Sequence, residues 1–131
     1  MENHLRAALV TWLREDPNLS SINAIEEESP LKASPPWLGV AASASSDWGT
    51  KSRPGREVRI AIELESRADE TDADAALLQA IERRVLDLPP FNAGFELASI
   101  RFLRARTERR EFNLRGALLE FRFRIFEPLT E

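Results

Sequence analysis

EVRIAIELES, residues 57–66, sets an apolar side chain at every second position from Val58 to Leu64. Val58, Ile60, Ile62 and Leu64 share one side, while Arg59, Ala61, Glu63 and Glu65 share the other. That period of two predicts a strand buried on one face and largely wet on the other. Such a strand needs a covering layer for its apolar face, and the neighbouring segments are read for one.

Upstream lies PPWLGVAASASSDWGTK, residues 35–51. Its small and apolar run predicts a strand over residues 37–45, and the turn formers from Ser46 to Gly55 predict a loop. Residues 2–15 place Leu5, Ala8, Leu9, Trp12 and Leu13 at helical spacing, with Glu2, Arg6 and Arg14 on the wet side. Asp16-Pro17-Asn18 ends that helix, because proline disfavours helical geometry in the residue before it. Residues 19–28 read as a short strand or a turn, with Ile22 and Ile25 pinned inward. Ser29 to Pro36 holds three prolines and predicts an extended connection.

Downstream, Asp69, Thr71 or Asp72 caps a second helix. Its buried face is Ala73, Leu77, Ala80, Ile81, the Arg84 stem, Val85 and Leu88, and Pro89-Pro90 stops it. Residues 95–106 and 117–127 read as two long strands. TERREFNLRG between them is too polar for a core and predicts an exposed hairpin end. The architecture expected is α+β, a mostly antiparallel β-sheet packed against two amphipathic helices. Residues 1–131 form one domain, a length that supports a core without staples.

The chemistry on offer is narrow. The chain has no cysteine, which removes disulfides, thiol nucleophiles and thiolate metal sites. His4, the only histidine, stands at the start of the first helix and reads as a surface residue, not a metal ligand or catalytic base. The carboxylates of Glu26-Glu27-Glu28, Glu63, Glu65, Asp69-Glu70, Asp72 and Asp74 fall on loops, a strand face or a helix start. General acid–base work needs one carboxyl in a pocket of low polarity, and none of these runs has aromatic company. Asp69 to Asp74 lacks the spacing and closing glutamate of a calcium loop, and the five glycines form no phosphate-cradling motif. No catalytic residue, metal or cofactor is expected. No apolar run approaches the roughly 20 residues needed to span a bilayer, and MENHLRAALVTWLRED is not laid out as a signal peptide. A soluble, cytoplasmically made protein is the expectation.

Charge is uneven. From Arg101 to Arg124, eight arginines stand against Glu108, Glu111 and Glu120, a balance of +5 in a chain of net charge −4. Arg104 and Arg106, placed by alternation on a face with Phe102, and Arg122 and Arg124, opposite Phe121 and Phe123, could form a phosphate stripe. The same arginines suit ion pairs between subunits, and pairing is the preferred reading because arginine's planar fork fits carboxylates equally well. Trp12 reads as core. Trp37 and Trp48 bracket the first strand and its loop. Beside Asp47 and Gly49, Trp48 reads as an interface anchor, as local packing or, less readily, as part of a small-molecule site.

These residues carry a resemblance. PPWLGVAASASSDWGTKSRPGREVRIAIEL is similar to the central region of the tail-completion, or tail-terminator, family of tailed bacteriophages, which occurs also in prophages and alphaproteobacterial gene transfer agents. The match runs through Pro-Trp-Leu opening a strand, Asp-Trp followed by Thr, and Gly-Arg-Glu before the alternating strand. AALLQAIERRVLDLP, RFLRARTERR and ALLEFRFRIFE extend it over roughly residues 4–127, with the gene-transfer-agent branch nearest. The resemblance implies a sheet on two helices and no enzymatic activity. It implies a homo-oligomer, a hexameric ring that caps the tail tube protein, ends its polymerisation and meets the head-tail connector or adaptor protein. It further implies assembly in a host cytoplasm, a final place at the head–tail junction, no membrane, and DNA passing nearby in the channel. Asp47, Trp48 and Lys51 would then touch a neighbour or the tube, with Trp37 at the same strand's start. Arg104, Arg106, Arg109 and Arg110 would line a subunit interface or face the channel. A head–tail adaptor and a small nucleic-acid-binding module are the rival readings.

Overall fold

In the computed structural model, which describes residues 1–28, 33–69 and 71–129, the strand at the centre of this reading becomes the centre of a six-stranded sheet. The elements run α1 (Glu2–Arg14), a 3-10 turn (Pro17–Leu19), β1 (Ala24–Glu26), β2 (Trp37–Asp47) and β3 (Gly55–Arg67). They continue as α2 (Thr71–Leu86), β4 (Phe91–Asn92), β5 (Phe95–Arg110) and β6 (Leu114–Phe126). The sheet order is β1-β2-β3-β6-β5-β4. Its strand pairs are antiparallel except β1 with β2, which is parallel. The expected α+β architecture is thus the observed one. Part of the proline-rich connection, residues 29–32, lies outside the described residues.

Both helices cover one face. Val58, Ile60, Ile62 and Leu64 of β3 and Ala117, Leu119, Phe121, Phe123 and Ile125 of β6 form a single core with Leu5, Leu9 and Leu13 of α1 and Ile81 and Val85 of α2. Burial of each large apolar side chain contributes about 1.5–3 kcal/mol. α1 and α2 are joined by a reciprocal pair: Trp12 Nε1 donates to the Arg84 carbonyl at 2.7 Å, and Arg84 Nε donates to the Trp12 carbonyl at 2.8 Å.

Three local features differ from the sequence reading. The buried face of α2 is the expected one from Leu77 to Leu88, but in its first turn Ala73 is exposed and Asp74 is buried. Asp74 tolerates burial because its Oδ2 accepts from Ser66 Oγ at 2.7 Å and from Arg115 Nη1 at 3.1 Å. The polar segment TERREFNLRG is mostly strand, with only residues 111–113 as its turn. It holds because Glu65, Ser66 and Arg67 of β3 give Gly116, Arg115 and Leu114 a ladder partner.

The third difference is a register shift between Phe102 and Arg104 on β5. Phe102 faces Phe121 on the core side, their rings 5.6 Å apart, while Arg104 faces Glu120 on the outer side. One extra residue in a strand reverses its alternation. Arg104 and Arg106 therefore lie on the face opposite Phe102, not beside it.

Candidate functional site

Two surfaces gather the residues singled out from the sequence. The first is the loop after β2. Asp47 ends that strand, exposed, and its Oδ1 accepts from Gly49 N at 3.1 Å and stands 3.5 Å from Arg56 Nη1. Trp48 is half-buried: its ring lies 4.9 Å from Phe126 and the Arg124 guanidinium sits 5.2 Å from its centroid. The loop is closed by Trp48 N to Gly55 O at 3.1 Å and Thr50 N to Arg53 O at 2.9 Å. Arg53 ties it to β5 and to the end of the sheet through Glu96 and the Glu127 carbonyl. Lys51 projects from this frame, exposed. At the other end of β2, Trp37 is 7% exposed and donates Nε1 to Glu65 Oε2 at 2.9 Å.

The second surface is the β5–β6 hairpin. Arg104 grips Glu120 with two hydrogen bonds, Nε to Oε2 at 2.7 Å and Nη2 to Oε1 at 3.1 Å. That grip raises the Arg104 pKa and, with help from the charges of Arg106 and Arg59, holds the Glu120 carboxyl below the usual carboxylate value. Arg110 lies among three carboxylates: Glu63 at 2.6 Å, Glu65 at 3.2 Å and Glu108 at 3.3 Å. Partial burial works to lower its pKa, but the bonds and charges of Glu63, Glu65 and Glu108 outweigh that and raise it. The guanidinium rests over Gly116, where any side chain would occupy its space. Arg109 Nη2 donates to Asn113 Oδ1 at 3.1 Å. The Arg106 side chain is exposed and makes no hydrogen bond or ion pair among the described residues. Of the four hairpin arginines, then, Arg104 and Arg110 are held by carboxylates of their own chain, and Arg106 and Arg109 present their charge outward.

At the tip, Leu114 N bonds Glu111 O at 3.3 Å, and Phe112 and Asn113 between them have φ of 59° and 58°. Two left-handed central residues give the mirror-image turn whose twist suits a hairpin. Asparagine accepts this conformation; a bulky aromatic does so at a cost. Phe112 is nonetheless 90% exposed. The cost of that conformation is not offset by packing of the ring within its own subunit. The sequence carried a signal for this residue, a lone phenylalanine inside TERREFNLRG, that charge had overshadowed.

A groove of about 840 Å³ runs along α2 past Asp16 and Asn18. Its Asp74 and Arg84 are already engaged within the fold. Among the described residues no group of three or more histidine, aspartate or glutamate side chains is arranged to hold a metal ion, and no helix is long and apolar enough to cross a membrane.

Comparison with known proteins adds three findings. Residues 7–126 match the family model described as "Tail completion protein gp17". Among solved structures, the chain is similar to one in the virion of a native gene transfer agent particle. The two are 21% identical with a TM-score of 0.81, over 95% of this chain and 96% of that one; at this identity the likeness establishes the fold. No curated protein matches.

Proposed function

Since the chain belongs to the tail completion protein gp17 family, we propose that it is a structural, non-catalytic subunit of a phage-like particle, acting as one domain. Copies assemble into a ring of six that caps the tail tube, ends its polymerisation and joins it to the head connector at the head–tail junction. The observation that carries this reading is the family match over residues 7–126, most of the chain. Assembly in a host cytoplasm precedes incorporation into the particle.

Asp47, Trp48, Lys51, Arg106, Arg109 and Phe112 form the contact surfaces with a neighbouring copy, tube or connector. Trp37, Arg104 and Arg110 shape those surfaces from within the subunit, by fixing Glu65 and Glu120. Head-to-tail contacts, in which each subunit offers two different patches to its neighbours, close into a ring when the rotation between successive copies closes.

The test is solution mass across a concentration series, followed by addition of purified tail-tube protein. A species of six subunits with annular shape, or an annular cap appearing only on tubes, is the expected result. A chain that neither assembles alone nor binds tube ends sinks the terminator assignment. Binding to a connector without binding to tubes would transfer it to the adaptor class.

A further inference from the structure

The outer face of the sheet, away from both helices, carries an arrangement that folding alone does not favour. Cross-strand register sets Arg59 of β3 opposite Arg122 of β6, and Arg122 opposite Arg101 of β5. Neighbouring strands lie about 4.8 Å apart, and like charges directly opposite one another are destabilising. Arg124 flanks this row on one side and Arg104 and Arg106 on the other.

Counter-charge is scarce there. Glu57 Oε1 takes the Nε–H of Arg124 at 3.1 Å and stands 3.8 Å from Arg122 Nε, too far for a hydrogen bond. Glu120 is occupied by Arg104. Arg59, Arg101, Arg104, Arg122 and Arg124 thus surround two carboxylates, while Arg106 beyond them neighbours Glu63 and Glu108, both engaged by Arg110, in a chain that has 22 acidic residues and a net charge of −4. The excess is local and is not a consequence of overall composition. Arg122 Nε is also the one buried side-chain nitrogen or oxygen among the described residues that lacks a hydrogen-bond partner. A buried donor left unpaired is costly, and an acceptor delivered from outside would remove that cost.

Access is open on the β2 side, where Ala44 faces Arg59 and Ala42 faces Ala61, so no large side chain fences the row. The row itself holds no aromatic ring on which a base could stack. What fits is a chain of oxyanions recognised by charge and by guanidinium forks, without sequence readout.

We propose that the Arg59–Arg122–Arg101 row is an oxyanion site that takes the phosphodiester backbone of a nucleic acid. The site belongs to the subunit and does not require the ring. Binding is independent of base sequence and falls steeply with salt, because each neutralised phosphate releases counterions.

The test uses the full chain and short labelled duplexes of two unrelated sequences, with anisotropy measured over a salt series. A double variant, Arg59→Gln with Arg101→Gln, should bind at least about tenfold more weakly at low salt and lower the log–log salt slope by about 2. A charge-matched control, Arg67→Gln with Arg83→Gln, should keep both sequence-independent affinity and most of the slope. Inorganic phosphate should raise the melting temperature of the parent more than that of the row variant. In phosphate-free buffer the row variant should itself melt higher, by relief of repulsion, which also shows that it folds. No binding at low salt, or equal loss in row and control variants, overturns the proposal. So does a result in which the row variant loses self-association while the parent ignores DNA; the occupant would then be the carboxylates of a second copy. Tube capping is scored separately, so a failed cap and a failed anion site are distinguishable.

Discussion

Trp12 and Arg84 hold one another twice: each donates a side-chain N–H to the other's backbone carbonyl, and the Arg84 guanidinium lies 3.4 Å from the Trp12 ring centroid. The pair joins α1 to α2 above the sheet with directional bonds and ring contact together.

Arg84→Lys should therefore not act as a conservative change. Lysine keeps the charge but loses the planar stacking and the fixed Nε–H. The expected cost is about 1–2 kcal/mol, read as a lower urea midpoint with an unchanged slope. An unaltered midpoint would mean that the pair does not stabilise the helix layer.

Gly116→Ala should displace the Arg110 guanidinium, because the new methyl group would occupy its seat. Glu63, Glu65 and Glu108 would then repel one another with less compensation. A loss of about 1–2 kcal/mol is expected, and Arg110→Gln should cost a similar amount. In the double variant the losses should fall short of additive, since both act on one cluster.

Phe112→Gly should stabilise the isolated subunit by about 0.5–1 kcal/mol, because glycine adopts the left-handed turn without strain. Assembly or tube binding should weaken in the same variant. A gain in stability with undiminished assembly would remove Phe112 from the contact surface.

Acid should release the Arg104–Glu120 pair. The Glu120 carboxyl is held below its ordinary value of 4.5 by Arg104 first of all. Its contribution is therefore fully present above the unfolded-state value and is lost as pH falls through the lower folded-state one. Melting temperature measured from about pH 6 to about pH 3 should fall less steeply in Glu120→Gln than in the parent. Parallel curves would show that the pair contributes nothing through ionisation.

Much of this was legible in the chain because periodicity survives folding wherever one face meets a core. Val58 to Leu64 and Leu5 to Leu13 announced their buried faces by spacing alone. Legibility failed where a neighbour decides the outcome. Nothing in RFLRAR marks the extra residue that turns Arg104 to the outer side; the pairing of Phe102 with Phe121 and of Arg104 with Glu120 does. Asp74 looked like a solvated helix-start charge because Ser66 and Arg115, which bury it, are distant in sequence. Trp48, whose role local sequence left open, meets Phe126 from the far end of the chain. Arg101 and Arg122 of the arginine row were visible among eight arginines between residues 101 and 124, but Arg59 lay apart from them, and the alignment of the three across three strands is a property of register.

The sheet order has a consequence for synthesis. β3 and β6 lie side by side at the centre, yet α2, β4 and β5 come between them in the chain. While the ribosome is still making residues 71–113, Val58, Ile60 and Ile62 wait without Phe123, Phe121 and Leu119, their partners across the central ladder. The nascent chain can form α1 and the β2–β3 hairpin early, but the core closes only when its final strand has emerged. Pairings so distant in sequence are slow to form. A synonymous change that slows translation between β3 and β6 would prolong the interval in which β3 is an exposed, adhesive edge.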